Sequence, residues 1–242
     1  MKNTIKQFVP QPLIPSIKYI YLSINDIIER LQGKRDSLTP PTRLMFVGTP
    51  DVTVFKHNGE IHLKYFKGIC DLQPNETILD VGCGIGRKAL PLTKYLNSEA
   101  RYEGFDIVKA GIDWCQQKIT PLYPNFHFQL ADMYNKHYNP TGKYKASEYK
   151  FPYKDNSFDF VMLTSVFTHM LPPDVENYFA EISRVMKIGG RCFISYFLAN
   201  DTSLSLMSTE KSQFNFKHAT PNYRTVDPDV PENAVCYDEA YI

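Results

Sequence analysis

Residues 80–87 are the segment of this chain whose residue types and spacing are best suited to bind a ligand. Three glycines alternate there at positions 82, 84 and 86, directly after the apolar run 78–81. Glycine is needed where a backbone turns sharply and approaches a ligand without a Cβ atom in the way. The dinucleotide fingerprint G-x-G-x-x-G would need its third glycine at position 87, where the chain has Arg87. The loop therefore predicts a ligand site that departs from the dinucleotide pattern.

Two carboxylates follow at the ends of the next two apolar segments. Asp106 ends the segment 102–106, twenty residues after Gly86, where a carboxylate can accept hydrogen bonds from both hydroxyls of a ribose. Asp132 comes shortly after the segment 126–130. Because an open parallel sheet binds ligands beyond the carboxyl ends of its strands, we expect the glycine loop and both carboxylates to meet at one edge.

The elements that must position these residues alternate along the chain. Strands are predicted at 78–81, 102–106, 126–130, 158–163 and 192–197, and most are separated by helices, at 87–96, 108–118 and 173–186. Such alternation implies right-handed crossovers and a parallel sheet. The expected fold class is therefore α/β, with a doubly wound and mainly parallel sheet.

These motifs resemble those of class I S-adenosylmethionine-dependent methyltransferases, in their small-molecule-type branch. The acidic residue followed by alternating glycines in 79–87 is typical of that family. The segment 151–159 is similar to the approach to the family's fourth strand, and 184–190 to its turn into the fifth. The resemblance covers residues 79–197 and implies a Rossmann-like fold, methyltransferase activity and S-adenosylmethionine as cofactor, with S-adenosylhomocysteine as product.

The resemblance also implies which residues hold that cofactor. Asp132 takes the position of a side-chain acceptor for the adenine amino group, with the next backbone nitrogen near the ring. Arg87 opens the first helix, where it meets the cofactor's carboxylate or is an ordinary surface arginine. The candidate cofactor-binding residues are Asp80, Gly82, Cys83, Gly84, Gly86, Arg87, Asp106, Ile107, Asp132, Met133 and Thr164.

The segment after the fourth strand bears on the methyl acceptor. Residues 164–170 lack the Asn/Asp-Pro-Pro-Tyr/Phe motif of enzymes that methylate amino groups of nucleobases or glutamine. The resemblance therefore implies a small-molecule, sugar or lipid-like acceptor. His169 is the candidate catalytic residue, either as a general base or as a structural or cofactor contact. The rival functions are a non-catalytic cofactor-binding interaction module and a nicotinamide-dependent oxidoreductase, against which Arg87 counts.

Composition excludes several classes of protein. The formal net charge of +1 gives no general attraction to nucleic acid or to an anionic membrane, although a local basic patch remains compatible with it. No segment approaches the roughly 20 apolar residues of a membrane span. The five cysteines contain no C-x-x-C, and the histidines show no metal-ligand spacing. We expect a cytoplasmic protein with a small-molecule substrate, no nucleic acid partner and no metal.

The chain divides into three predicted regions. Residues 1–70 comprise an extended arm (1–15), a helix and a cofactor-covering segment with Phe46, Phe55 and Tyr65. That helix is expected to begin at a Ser16 cap, to end near Gly33 and to pack its apolar face on the domain, the alternative being a helix that binds a partner. Residues 71–200 form the cofactor-binding core, in which the tyrosine-rich stretch 133–153 is either a substrate wall or a solvated excursion. Residues 201–242 are the C-terminal extension.

The C-terminal extension departs from the family's pattern. The resemblance implies two further strands that close the sheet, whereas only 45 residues follow Phe197 and three prolines interrupt them. We expect a short hairpin within 213–226, with 214–217 as its first strand, and the first turn of a helix over 237–242. One hypothesis is that the closing strand pair is incomplete, through truncation or natural shortening. The edge would then be unpaired, unless 213–226 folds back on it or a second molecule covers it in a homodimer. The rival hypothesis is that residues 213–237 supply both closing strands.

Overall fold

The computed structural model describes residues 14–46, 48, 50–136, 138–209 and 211–242. Its centre is a sheet of five parallel strands in the order β3-β2-β1-β4-β5. The strands are β1 (Thr77–Val81), β2 (Arg101–Asp106), β3 (Phe126–Leu130), β4 (Phe158–Leu163) and β5 (Met186–Ile194). The chain runs outward from β1 to one edge and then from β4 to the other. The predicted α/β class with a doubly wound parallel sheet is confirmed.

Helices cover both faces of this sheet. Successive strand residues point to opposite faces, so β1, β2, β4 and β5 each contribute to two hydrophobic clusters. On one face Ile78 and Phe160 pack with α2 (Val52–Gly68), α3 (Ala89–Tyr95) and α4 (Lys109–Lys118). On the other, Leu79 and Val161 pack with α5 (Pro172–Val185). The two-layered core holds the carboxyl ends of β1, β2 and β4 at one side of the domain.

The helix α2 lies in a segment for which the sequence analysis predicted no regular element. Asp51 caps it by accepting hydrogen bonds from the backbone nitrogens of Thr53 and Val54, at 2.8 and 2.9 Å. Gly59 lets the helix approach the start of α3, since a Cβ there would lie 2.6 Å from the carbonyl oxygen of Arg87. This close approach brings Phe55 beside the glycine loop.

The helix α1 (Ile14–Leu31) corrects two expectations. It starts before Ser16, which therefore lies inside the helix and does not cap it. Its side chains Ile24, Ile27 and Leu31 are exposed, so the prediction that its apolar face packs on the domain is wrong. The arm predicted over 1–15 lies outside the described residues, apart from its last two residues, which begin α1.

The C-terminal residues form a second, four-stranded sheet in the order β6-β9-β8-β7. Its strands are β6 (Phe197–Ala199), β7 (His218–Ala219), β8 (Tyr223–Thr225) and β9 (Val235–Asp238), and α6 (Asp201–Ser208) follows β6. The antiparallel pairing of β7 with β8 confirms a hairpin within 213–226, but its first strand is 218–219 and not the predicted 214–217. The helical turn predicted from Tyr237 is wrong, because Tyr237 is fully buried and pairs with both β6 and β8.

The fifth strand of the central sheet also differs from its prediction over 192–197. It begins at Met186 and passes through Gly189 and Gly190, with an irregular register opposite β4. It ends at Ile194, and Phe197 belongs to the second sheet. β5 is thus an edge of the five-stranded sheet, and whether a second molecule covers that edge stays a prediction.

None of the helices in the described ranges combines the length and the apolar character needed to cross a membrane.

Candidate functional site

A cavity of about 420 Å³ opens at the carboxyl ends of β1, β2 and β4, and we call it the central cavity. Most of the predicted site residues line it. They are Gly82, Cys83, Gly84, Arg87, Asp106, Ile107, Met133, Thr164 and His169. Asp80, Gly86 and Asp132 were also predicted there, but they are not among its lining residues.

The three glycines of the loop all adopt positive φ angles that other residues rarely take. Gly84 and Gly86 differ in what surrounds the position of a side chain. At Gly84 (φ +59°) a Cβ would meet no atom within 4 Å, because the residue faces open space. At Gly86 a Cβ would lie 2.8 Å from Ile119 Cδ1 and 3.0 Å from Cys115 Sγ. Gly86 therefore allows α4 to pack against the loop, while Gly84 leaves the backbone accessible.

Asp106 connects this loop to the end of β2. One carboxylate oxygen accepts a hydrogen bond from the backbone nitrogen of Gly84 and the other from that of Val108, both at 2.8 Å. Burial raises the pKa of the Asp106 carboxyl, and the two backbone donors oppose only part of that rise. The carboxylate thus fixes the loop while lining the central cavity.

A buried ion pair between Asp80 and Lys88 lies beneath the loop, and Lys88 was not among the predicted site residues. Asp80 is fully buried and accepts a hydrogen bond from the Tyr102 hydroxyl at 2.7 Å. The Nζ atom of Lys88 lies 3.3 Å from Asp80 and donates to the Thr164 hydroxyl at 2.7 Å. Asp80 therefore supports the loop from below, and Lys88 links β1 to the end of β4. The signal was available, since a buried strand carboxylate requires a counterion.

Arg87 lines the central cavity, whereas Asp132 does not. The carboxylate of Asp132 lies 3.5 Å from Lys143 Nζ and is partly exposed, whereas the following residue, Met133, lines the cavity. The proposed contact of Asp132 with an adenine ring stays a prediction. Arg87 lines the cavity, and burial lowers the pKa of its guanidinium, which stays cationic at neutral pH.

Two segments distant in sequence form one wall of the cavity. Phe46, from the segment before α2, approaches Tyr138 with their ring centroids 6.4 Å apart. Met45 and Phe55 line the cavity as well, as do several residues between 133 and 153. That this stretch contacts a substrate stays a prediction. Tyr65 lies elsewhere, stacked on Phe193 with centroids 6.4 Å apart, so its predicted place in the cover is wrong.

The wall around His169 combines residues that sequence reasoning did not connect. The Nδ1 atom of His169 lies 2.9 Å from the backbone oxygen of Glu232. Because a carbonyl oxygen only accepts, Nδ1 carries a proton in this contact and a neutral ring keeps Nε2 as an acceptor. Asp174 lines the same region, and burial raises the pKa of its carboxyl. Glu232 comes from the second sheet's loops, where no sequence motif marked it.

Comparison with known families bears on this geometry. The family model described as "Methyltransferase domain" matches residues 79–194, which span β1 to the end of β5. Residues 79–194 are a class I S-adenosylmethionine-dependent methyltransferase domain. The glycine loop, Asp106 and His169 all lie within this methyltransferase domain, whereas α1, α2 and the second sheet lie outside it.

Three curated proteins illustrate its relatives. Phosphoethanolamine N-methyltransferase 2 of Caenorhabditis elegans is 26% identical over 56% of this chain and 27% of its own length. Cycloartenol-C-24-methyltransferase of Arabidopsis thaliana is 30% identical over 52% of this chain and 32% of its own length. Demethylmenaquinone methyltransferase of Lactiplantibacillus plantarum is 26% identical over 69% of this chain and 62% of its own length. The chain therefore spans less than two thirds of each relative.

The Lys88→Met substitution is expected to lower the free energy of unfolding by about 3–5 kcal/mol, because it leaves the Asp80 carboxylate buried without its cation. Urea denaturation followed by circular dichroism measures the change. The double variant Asp80→Asn/Lys88→Met removes both charges and keeps an acceptor for Tyr102, so it should recover most of the loss. A double variant as unstable as Lys88→Met would contradict the pairing.

Proposed function

We propose that this chain transfers a methyl group from S-adenosylmethionine to a small-molecule acceptor. The observation that carries the proposal is the open space at the Cβ position of Gly84, beside the Asp106 carboxylate, in a cavity that His169 also lines. A glycine with open space where a side chain would lie, next to a buried carboxylate, suits a ligand with a ribose and an aminoacyl group. They do not require a pyrophosphate.

The residues of the central cavity fit this cofactor. Gly82 and Gly84 would lie against its aminoacyl part, and Asp106 would accept hydrogen bonds from the ribose hydroxyls. Arg87 offers a cation for its carboxylate, which agrees with the place of Arg87 in the lining. The backbone of Met133 would meet the adenine ring. Asp80 would act through Lys88 and the loop, because its own side chain is fully buried.

When bound, S-adenosylmethionine supplies a methyl group on a cationic sulfur that is already a good leaving group. The protein's main contribution is therefore to orient the two reactants and to exclude water. Phe46, Phe55 and Tyr138 provide apolar and aromatic surface for that purpose.

His169 is our candidate for the proton acceptor. Its Nδ1 is held by the backbone oxygen of Glu232, so a neutral ring presents Nε2 without a proton. A hydroxyl acceptor would benefit from such a base, whereas an amine that is already neutral would need none. The alternative is that His169 binds the cofactor or the acceptor without moving a proton.

The acceptor is proposed only as a small molecule. The relatives' names refer to phosphoethanolamine, cycloartenol and demethylmenaquinone, which share small size and little else. In this chain the wall near His169 combines Asp174 and Glu232 with the apolar side chains of Met170 and Val230. Such a wall suits an acceptor that has both a polar and an apolar part.

Labelled cofactor provides the direct test of this function. The protein is incubated with methyl-labelled S-adenosylmethionine and a fractionated extract of small molecules, and the labelled product is identified by mass spectrometry. We expect label in a product of low molecular mass. Tight cofactor binding without transfer to any fraction would favour the non-catalytic interaction module instead.

The Gly84→Ala substitution is expected to weaken cofactor binding by tenfold or more, roughly the effect of about 1.4 kcal/mol, because its methyl group enters the ligand's space. Isothermal titration calorimetry measures the affinity. Gly189→Ala is the matched control, since Gly189 also has a positive φ (+78°) and no atom within 4 Å of a built Cβ. Both variants should lose similar stability, and equal cofactor affinities would place the ligand elsewhere.

The Asp106→Asn substitution should weaken cofactor binding by about 1.5–3 kcal/mol for each lost charged hydrogen bond. The amide also cannot accept from both Gly84 and Val108, because its nitrogen would face a backbone N–H. Calorimetry of the two proteins tests this directly. Unchanged affinity in Asp106→Asn would remove Asp106 from the site.

The pH dependence of binding provides an internal check on Asp106. Since burial raises its pKa, this carboxyl takes up a proton at a higher pH than the ordinary value of 3.8. Protonation removes an acceptor, so cofactor affinity of the unmodified protein should fall as the pH falls through that raised pKa. In Asp106→Asn this part of the pH dependence should be absent.

The His169→Ala substitution should lower turnover by roughly 10²–10⁴-fold if His169 is the base, with cofactor affinity within a few-fold of normal. Steady-state kinetics on the identified acceptor, paired with calorimetry, separate the two effects. His127→Ala, which alters a histidine of β3 outside the cavity lining, is the control. A large loss of affinity with normal turnover at saturation would make His169 a binding contact.

A further inference from the structure

The helix α1 presents a continuous apolar face to the outside of the protein. Its exposed fractions reach 57% at Ile20, 58% at Ile27 and 84% at Leu31. With 100° of rotation per residue, these side chains share one side of the helix, opposite the buried Asp26. We call the set the α1 face: Ile20, Tyr21, Ile24, Ile27, Ile28 and Leu31.

Polar contacts on the other side of the helix fix this orientation. Asp26 accepts hydrogen bonds from the backbone nitrogen and the hydroxyl of Thr42, at 3.0 and 2.6 Å. The guanidinium of Arg35 lies 3.1 Å from Asp26 and 2.6 Å from Glu29. Arg35 and Asp26 are buried, so turning the α1 face inward would break a desolvated network. The outward direction of the α1 face is therefore built into the fold.

A groove of about 370 Å³ runs along one flank of the α1 face, and we call it the flanking groove. Ile27 belongs to both, and Arg30, Arg43 and Lys118 line the groove. Among the described residues, none of these three cations has a carboxylate within 4 Å. The groove's own carboxylate, Asp26, already interacts with Arg35 and Thr42. Three cations without a carboxylate partner in the described ranges therefore border an exposed apolar surface, and two of them lie over aromatic rings, Arg43 over Tyr19 and Lys118 over Trp114.

We propose that the α1 face and the flanking groove dock this protein on a lipid bilayer that carries anionic phosphate headgroups. Apolar side chains on one side of a helix enter the boundary between headgroups and acyl chains. Arg30, Arg43 and Lys118 would then lie at the level of the phosphates, whose charge they complement. The helix lies on such a surface and does not cross it, since four of its eighteen residues are charged.

Charge favours this occupant over a second copy of the chain. A coiled-coil partner is selected by complementary charges beside a narrow apolar seam. Tyr21 and Ile28 make the exposed apolar surface of α1 wider than such a seam. The nearby cations Arg30 and Arg43, which have no carboxylate partner among the described residues, carry charges of the same sign. Two copies paired with parallel helices would bring like charges together, whereas phosphate headgroups would neutralise them.

The docking surface connects to the central cavity through the chain itself. Thr42, which Asp26 binds, lies a few residues before Met45 and Phe46, and both of these line the central cavity. A bilayer against the α1 face would therefore lie near the segment that forms a wall of the cavity. The proposal does not depend on methyl transfer, because its test measures binding alone.

Co-sedimentation of the full chain with vesicles tests the proposal. Vesicles of phosphatidylcholine mixed with phosphatidylglycerol should bind the protein about tenfold or more tightly than pure phosphatidylcholine vesicles. Ile24→Ser/Ile27→Ser should reduce binding to the mixed vesicles by about tenfold or more. Arg43→Gln/Lys118→Gln should reduce it similarly and weaken its dependence on salt. The control Ile69→Ser/Ile188→Ser alters two exposed apolar residues on other elements and should bind normally.

The changed side chains of the apolar double variant are exposed, so its urea unfolding midpoint should match that of the unmodified protein. Three results would overturn the proposal. The first is the absence of binding to mixed vesicles, and the second is equal binding by Ile24→Ser/Ile27→Ser and its control. The third is binding of inorganic phosphate or formation of an α1-dependent dimer, by calorimetry or analytical ultracentrifugation, without any vesicle binding.

Discussion

The hydrogen bonds from Gly84 and Val108 to the Asp106 carboxylate are the interaction on which the candidate site depends. They tie three elements together: the loop after β1, the end of β2 and the start of α4. A charged acceptor with two backbone donors is stronger than a neutral pair, and it fixes a loop that otherwise has glycine's conformational freedom. Because Asp106 is also part of the cavity lining, the group that orders the loop is available to a ligand.

A second set of buried charges supports the same region from below. Lys88 is held between Asp80 and Thr164, so the strands β1 and β4 are connected beneath the loop. Buried ion pairs are weak evidence for added stability, but each partner requires the other once both are desolvated. The Asp26, Arg35 and Thr42 network follows the same rule at the other end of the chain. There the network orients the helix α1.

The cavity wall shows how distant segments converge on one site. Phe46 precedes the methyltransferase domain, Tyr138 comes from the stretch between β3 and β4, and Glu232 comes from the second sheet. Each segment carries a different part of the wall, while the loop and Asp106 remain inside the domain. This arrangement separates the glycine loop and Asp106, which lie in the core, from the wall, which other segments supply.

The sequence by itself determined that there are five parallel strands, the bounds of the first four, the glycine loop and the place of Asp106, because these depend on local patterns along the chain. The bounds of the fifth strand it did not determine. Tertiary structure alone decided three other features. The direction of the α1 face depends on buried contacts between Asp26 and Thr42, which periodicity does not reveal. Tyr237 lies in a strand because β6 and β8 pair with it, although its local sequence resembles a helix start. His169 meets Glu232 only when two sheets are in place, since contacts over 63 positions leave no local signal.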